Sequence, residues 1–274
     1  MKSHSPILLL LLLLLTSLPS GASTPYLDLV DEADKACSEG HWEEAEHKLL
    51  EAIEYDRENP GNILLMSNLG LIRYNLGKDS LALDILTEAH RKAPSSVVIL
   101  SNRARVLTSM GHDEDALADY ELIMDLDSAA VNARFNHAML LMRHHRYNEA
   151  KSDLEYLVRH FPTAEETMIG NATMHCTMGE YEEALPYYNE LLRNAKEADY
   201  LGGRALCNLM TGRLQEASDD IAEALHLTPD DGELYLYRAA LNKMRFRPAD
   251  ADADARRAVE LGVDPARVVQ YIQQ

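Results

Sequence analysis

The sequence is poor in aromatic residues, cysteine and positive charge, and each shortage narrows what the chain can be. Aromatics make up 6% of the 274 residues, although 46% are hydrophobic. A sizeable core is within reach, but one of small and aliphatic side chains. That suits closely packed helices better than an aromatic-rich β sandwich. Cysteine occurs only as Cys37, Cys176 and Cys207, an odd and sparse set that excludes a disulfide framework. Lys and Arg total 26 against 45 Asp and Glu, a formal charge of -19. This balance argues against nucleic acid or an anionic membrane surface as the main partner, and points to a solvated acidic surface.

Catalytic signatures are missing too. There is no nucleophile elbow, no paired-cysteine metal spacing, no His-Glu-x-x-His and no phosphate loop. The glycines and lysine of Gly70 to Lys78 lack Walker spacing. Eleven histidines include adjacent His144 and His145, near His137. Neighbours on a helix point apart and cannot chelate jointly. The run Arg143 to Arg146 instead suits the negative end of a helix dipole. No enzymatic activity, metal or cofactor is expected.

The N-terminus carries an unbroken aliphatic run, Ile7 to Leu15. Lys2 precedes it, and Leu18-Pro19 then Ser20-Gly21-Ala22 follow. The run is too short to span a bilayer, so residues 1–22 read as a cleaved secretory signal peptide. No cysteine precedes Cys37, so the lipidated cysteine of a bacterial lipoprotein is absent. Cleavage removes only one basic residue, leaving 25 against 45 acidic and a net of -20. The expected mature chain is exported, periplasmic or secreted, with no stable membrane insertion.

Self-comparison then sets the fold. Gly40, Gly77, Gly111, His145, Gly179, Gly212 and Phe246 each stand five residues ahead of an alanine: Ala45, Ala82, Ala116, Ala150, Ala184, Ala217 and Ala251. The alanines step by 37, 34, 34, 34, 33 and 34 residues, a period that chance does not give. Twelve residues before them lie Ala33, Gly70, Ala104, Ala138, Ala172, Ala205 and Ala239. Apolar residues follow four and seven residues after each alanine, as in Leu86/Ala89 and Leu154/Leu157. That spacing marks one face of an α-helix. The small residues let paired helices approach, and the glycines end the first helix of each unit. Pro94, Pro162 and Pro229 stop a helix from running into the next unit.

These residues resemble the tetratricopeptide repeat, whose consensus has a small residue at position 8, alanine at 20 and 27, and often proline at 32. The resemblance covers about residues 27–262. It implies an all-α fold, a right-handed α-solenoid of about seven helix-turn-helix units over residues 23–262. A C-terminal helix at 263–274 would cap it. The first unit has three extra residues around Asn59-Pro60-Gly61, and the seventh departs most, with Phe246 and Pro248 at its inter-helix turn.

Comparing units suggests paired positions. Position 7 is Arg103, His137, Arg204 and Arg238 where position 23 is Asp119, Asp153, Asp220 and Asp254. Where position 7 is Leu69 its counterpart is Ile85, and Asn171 faces Tyr187. Charge and apolarity change together, which predicts a contact tying the two helices of a unit. Cys176 and Cys207 fall in first helices of neighbouring units, where a disulfide would fit and buried free thiols fit better. The sequon at Asn171 lies within a helix and is read as coincidence.

The resemblance also implies a function. Such solenoids hold a peptide or helix on the concave face of their first helices, at positions 2, 5, 9 and 12. Here these include Leu64, Leu71, Tyr74, Ser101, Arg105, Phe135, Met139, Met142, Ile169 and Thr173. Position 6 is Asn68, Asn102 and Asn136, each 34 residues from the next. This row resembles the asparagine ladder in the repeat superhelix of O-linked N-acetylglucosamine transferase. A carboxamide matches both the N–H and the C=O of a peptide unit. The expected binding residues are therefore Asn68, Asn102 and Asn136, with Arg105, Phe135 and Met139 selecting sequence. The reading is an exported scaffold that binds a protein or extended peptide, such as an accessory of envelope assembly or secretion. The alternative is a structural subunit buried permanently in a larger envelope complex.

Overall fold

A computed structural model of the chain describes residues 25–273. The expected signal peptide at 1–22 lies outside them. The described residues fold into fifteen α-helices and no strand. They divide into two compact units, with the boundary between Ala133 and Arg134.

Unit 1 holds three helix pairs: α1 (Pro25–Ser38) with α2 (Trp42–Tyr55), α3 (Asn62–Asn75) with α4 (Asp79–Lys92), and α5 (Val97–Met110) with α6 (Asp113–Leu126). The boundary falls within α7 (Val131–Arg143). Unit 2 continues with α8 (Tyr147–His160), α9 (Glu165–Met178) and α10 (Tyr181–Asn194), then α11 (Ala198–Met210) and α12 (Leu214–Leu227). It ends with α13 (Gly232–Met244), α14 (Pro248–Glu260) and α15 (Pro265–Gln273). No helix among the described residues is long and apolar enough to cross a membrane.

The repeated small residues sit where the paired helices touch. Ala45, Ala82, Ala116, Ala150, Ala184 and Ala217 have no exposed surface. At Gly70 a Cβ would come within 2.5 Å of Leu86 Cγ, so a larger residue would push α3 off α4. Each fully buried leucine along these seams, Leu49, Leu86 or Leu154, contributes about 1.5–3 kcal/mol. The turns between paired helices share one conformation. The five glycines there have φ between 71° and 78°, and His145 and Phe246 adopt φ of 58° and 57°. A side chain in that left-handed region costs roughly 1–2 kcal/mol. The repeat imposes the turn even where glycine is missing.

The extra residues between α2 and α3 are held by side-chain amides. Asn59 Oδ1 accepts from the Gly61 N–H at 2.9 Å, and Asn62 Nδ2 donates to the Asp56 carbonyl at 2.7 Å. Asn62 Oδ1 then accepts from the Tyr26 hydroxyl at 3.1 Å, tying the loop to α1. At the other end, Val263 and Val268 pack with Leu236 and Ala258, so α15 covers apolar surface of the last pair. Arg267 of α15 reinforces this with two bonds to Glu233, at 2.6 and 2.8 Å.

The paired positions meet in all four helix pairs that carry them. Arg103 grips Asp119 through Nε and a terminal nitrogen at 2.8 and 2.5 Å. Arg204 holds Asp220 at 3.0 and 2.7 Å, and Arg238 holds Asp254 at 2.9 and 2.6 Å. His137 Nδ1 lies 2.7 Å from Asp153, which also accepts from Arg134 at 3.0 Å. All four carboxylates are buried. Where the charges are absent the geometry changes: Ile85 packs against the cluster that contains Leu69. Asn171 is buried and turns back to donate to the Thr167 carbonyl at 2.8 Å.

Candidate peptide-binding groove

The residues expected to bind a peptide fall in both units. Asn68, Asn102 and Arg105 belong to unit 1; Phe135, Asn136 and Met139 belong to unit 2. Asn68 is half-buried and Arg105 exposed, whereas Asn102 is buried. Its Nδ2 donates to Ser67 Oγ at 2.9 Å, joining α5 to α3. At Asn102, expected to bind peptide backbone, one amide hydrogen already serves the packing of unit 1. In unit 2, Asn136 is exposed and Phe135 and Met139 are half-buried. The Phe135 ring lies against α9, 3.3 Å from where a Cβ on Gly170 would stand. Leu71 and Met142, expected to line the concave face, are 6% and 7% exposed and belong to the core.

A cavity of about 440 Å³ opens on the first helices of unit 2, α9, α11 and α13. Tyr181 and Tyr188 reach it from α10, Tyr237 from α13 and Tyr271 from α15. The Tyr237 and Tyr271 rings stand 6.3 Å apart and inclined by 42°. The floor exists because α11 has two successive glycines at its centre. A Cβ on Gly203 would lie 2.3 Å from Tyr188 Cζ, in steric clash with the ring, and one on Gly202 would lie 3.2 Å from Leu234 Cδ2. In a helix interior glycine costs about 0.5–1 kcal/mol relative to alanine. Here that cost lets the Tyr188 ring lie directly against α11.

Cys176 lines the same cavity and Cys207 lies fully buried behind it, with their sulfurs 3.4 Å apart. Both are free thiols. Contact with the Cys207 thiol lowers the Cys176 pKa below that of an ordinary cysteine. The same contact, with burial, pushes Cys207 up. Burial also pushes up the Tyr188 hydroxyl. That hydroxyl stays protonated and can donate a hydrogen bond.

A second cavity, about 550 Å³, lies between α8, α9 and α10. It opens at the unit where Asn171 and Tyr187 replace the ion pair. His175 stacks on Tyr187 there, at 5.9 Å and 20°.

Sequence reasoning missed Tyr237, Tyr271 and Asp199. The mid-helix pair Gly202-Gly203 was the available signal, since glycine inside a helix marks close approach.

Against this architecture, a tetratricopeptide-repeat family model matches residues 175–232. The solved structure of a tetratricopeptide repeat protein from Parabacteroides merdae is 24% identical, with a TM-score of 0.73 over 90% of this chain and 97% of that one. Residues 175–232 carry tetratricopeptide repeats, and the chain as a whole has the fold of such repeat proteins. PilW, described as a widely conserved type IV pilus biogenesis factor, aligns at a TM-score of 0.66 and 17% identity, over 78% of this chain and 98% of that one. YrrB, described as a repeat protein with an unusual peptide-binding site, aligns at 0.51 and 20% identity, over 69% of this chain and 98% of that one. No curated protein matches the sequence. In repeat terms, the groove belongs to repeats five to seven, and the family match falls on its centre.

Proposed function

We propose that this chain is a non-enzymatic scaffold that binds a protein or extended peptide on the first-helix face of unit 2. The observation that carries the reading is the cavity of about 440 Å³, open, tyrosine-walled and floored by glycines. Tyrosine gives large contact area at small entropic cost, and its hydroxyl can bond a peptide backbone. Glycines expose helix backbone to a close partner. The likeness to YrrB supports a peptide as occupant. In unit 2, Asn136, Phe135 and Met139 would extend the contact; in unit 1, Asn68 and Arg105 would form a separate one.

Residues 1–22 support an exported protein, and the likeness to PilW is in keeping with an accessory of envelope assembly or secretion. A photo-reactive residue at Leu206, which lines the groove, tests the reading in the native host. It should capture a discrete partner that the same residue at Leu227, exposed on α12, does not. Equal capture from both positions, or none from Leu206, would reject it. A product that is only the chain itself would favour the structural-subunit alternative.

A further inference from the structure

The chemistry of the groove narrows what can lie in it. Its lining includes three carboxylates, Asp199, Asp231 and Glu233, and no Lys, Arg or His. Asp231 uses one oxygen to cap α13, accepting from the Glu233 N–H at 2.8 Å. Glu233 is held by Arg267 from outside the lining. Asp199 is exposed at the start of α11.

The repeat pattern extends the same preference by one residue. Position 2 of the repeat is Leu27, Leu64 and Val98 in the first three units. In the last three it is Glu166, Asp199 and Glu233, at steps of 33 and 34 residues. Equal steps along a helical repeat set equivalent side chains in a row. Position 2 is therefore a carboxylate through the repeats of the groove, with Asp199 and Glu233 in its lining and Glu166 one repeat before them, where unit 1 carries aliphatic residues. Acidic residues in a first turn also favour the helix dipole. That accounts for their stability and not for their restriction to the repeats that hold the tyrosine-walled groove.

We infer that the groove of unit 2 takes an extended peptide segment carrying Lys or Arg, with its cationic side chains set between this carboxylate row and the Tyr237 and Tyr271 rings. The inference rests on the peptide-binding reading above. A cation between carboxylates and aromatic faces gains from both the charge and the ring quadrupole. The net charge of -19 would steer a basic segment toward the chain. An acidic segment would meet the like charges of Asp199 and Asp231, while the nearby cation, Arg267, is engaged by Glu233.

A selection with phage-displayed random peptides on the full chain tests this. The retained clones are then measured against Tyr237→Ala and against the isosteric triple variant Glu166→Gln, Asp199→Asn, Glu233→Gln. Circular dichroism checks that both variants keep their helix content. The expected result is enrichment of Lys- and Arg-containing peptides whose binding falls about tenfold or more in the triple variant, and weakens steeply with salt. Peptides that are lost on Tyr237→Ala but are neutral or acidic, and indifferent to the triple variant, would overturn the charge assignment and leave the peptide-binding reading standing. No enrichment, or enrichment indifferent to Tyr237→Ala, would overturn both.

Discussion

Replacing the Arg103–Asp119 pair by the residues of another repeat separates the worth of the charges from the worth of the contact. Asp119 is 3% exposed and accepts two bonds from Arg103, whose side chain is 17% exposed. Arg103→Leu alone strands a buried carboxylate and should cost about 3–4 kcal/mol. Asp119→Ile alone strands a guanidinium that can still turn toward water, for about 2 kcal/mol. Repeat two shows an apolar solution at the same two positions, with Leu69 fully buried and Ile85 packed on its cluster. The double variant Arg103→Leu, Asp119→Ile should therefore return to within about 1 kcal/mol of the parent, a coupling of about 4 kcal/mol. Urea unfolding followed by far-ultraviolet circular dichroism measures all four proteins, compared at equal denaturant slope. A double variant as unstable as the worse single variant would refute the reasoning, because the pair would then supply more than mutual neutralisation.

Three further outcomes follow from the same geometry. Gly203→Ala should destabilise the chain by about 1–3 kcal/mol, because the new Cβ clashes with the Tyr188 ring; in a Tyr188→Ala background it should stabilise by about 0.5–1 kcal/mol. A penalty of the same size in both backgrounds would show the ring is not the cause. Phe246→Gly should raise stability by about 1 kcal/mol, since φ is 57° there and the side chain is 93% exposed; an unchanged unfolding midpoint would contradict the strain argument. Iodoacetamide at mildly alkaline pH should label Cys176 well before Cys207, and before Cys37, whose thiol burial and Asp34 push up to about 11. Peptide mass spectrometry reads the order, and Cys37 reacting first would be inconsistent with it.

The helix pairs could be read from the sequence because a solenoid repeats its constraints. Every close helix contact needs a small residue at the same two positions, so Gly70 and Ala82, or Ala205 and Ala217, announce themselves by period alone. The ion pairs were legible for a related reason: the chain is its own set of variants, and Leu69 with Ile85 shows what happens when the charges go. Binding residues carry no such redundancy. Asn102 and Asn136 share a repeat position, yet one is buried and bonded to Ser67 and the other exposed. A carboxamide serves packing and binding with the same atoms, and its spacing does not say which. The groove depends on Tyr271 from the last helix meeting Tyr237 two helices earlier, a contact outside the repeat's period.

The peptide-binding claim meets its most direct test in solution NMR. The labelled chain is titrated with a basic peptide retained in the display selection, and amide shifts are followed along unit 2. The account predicts changes at Thr173, Leu206 and Tyr237, on the groove-lining first helices, with Val158 and Leu227 on second helices unmoved. Shifts concentrated at Val158 and Leu227, with the groove residues unmoved, would contradict it.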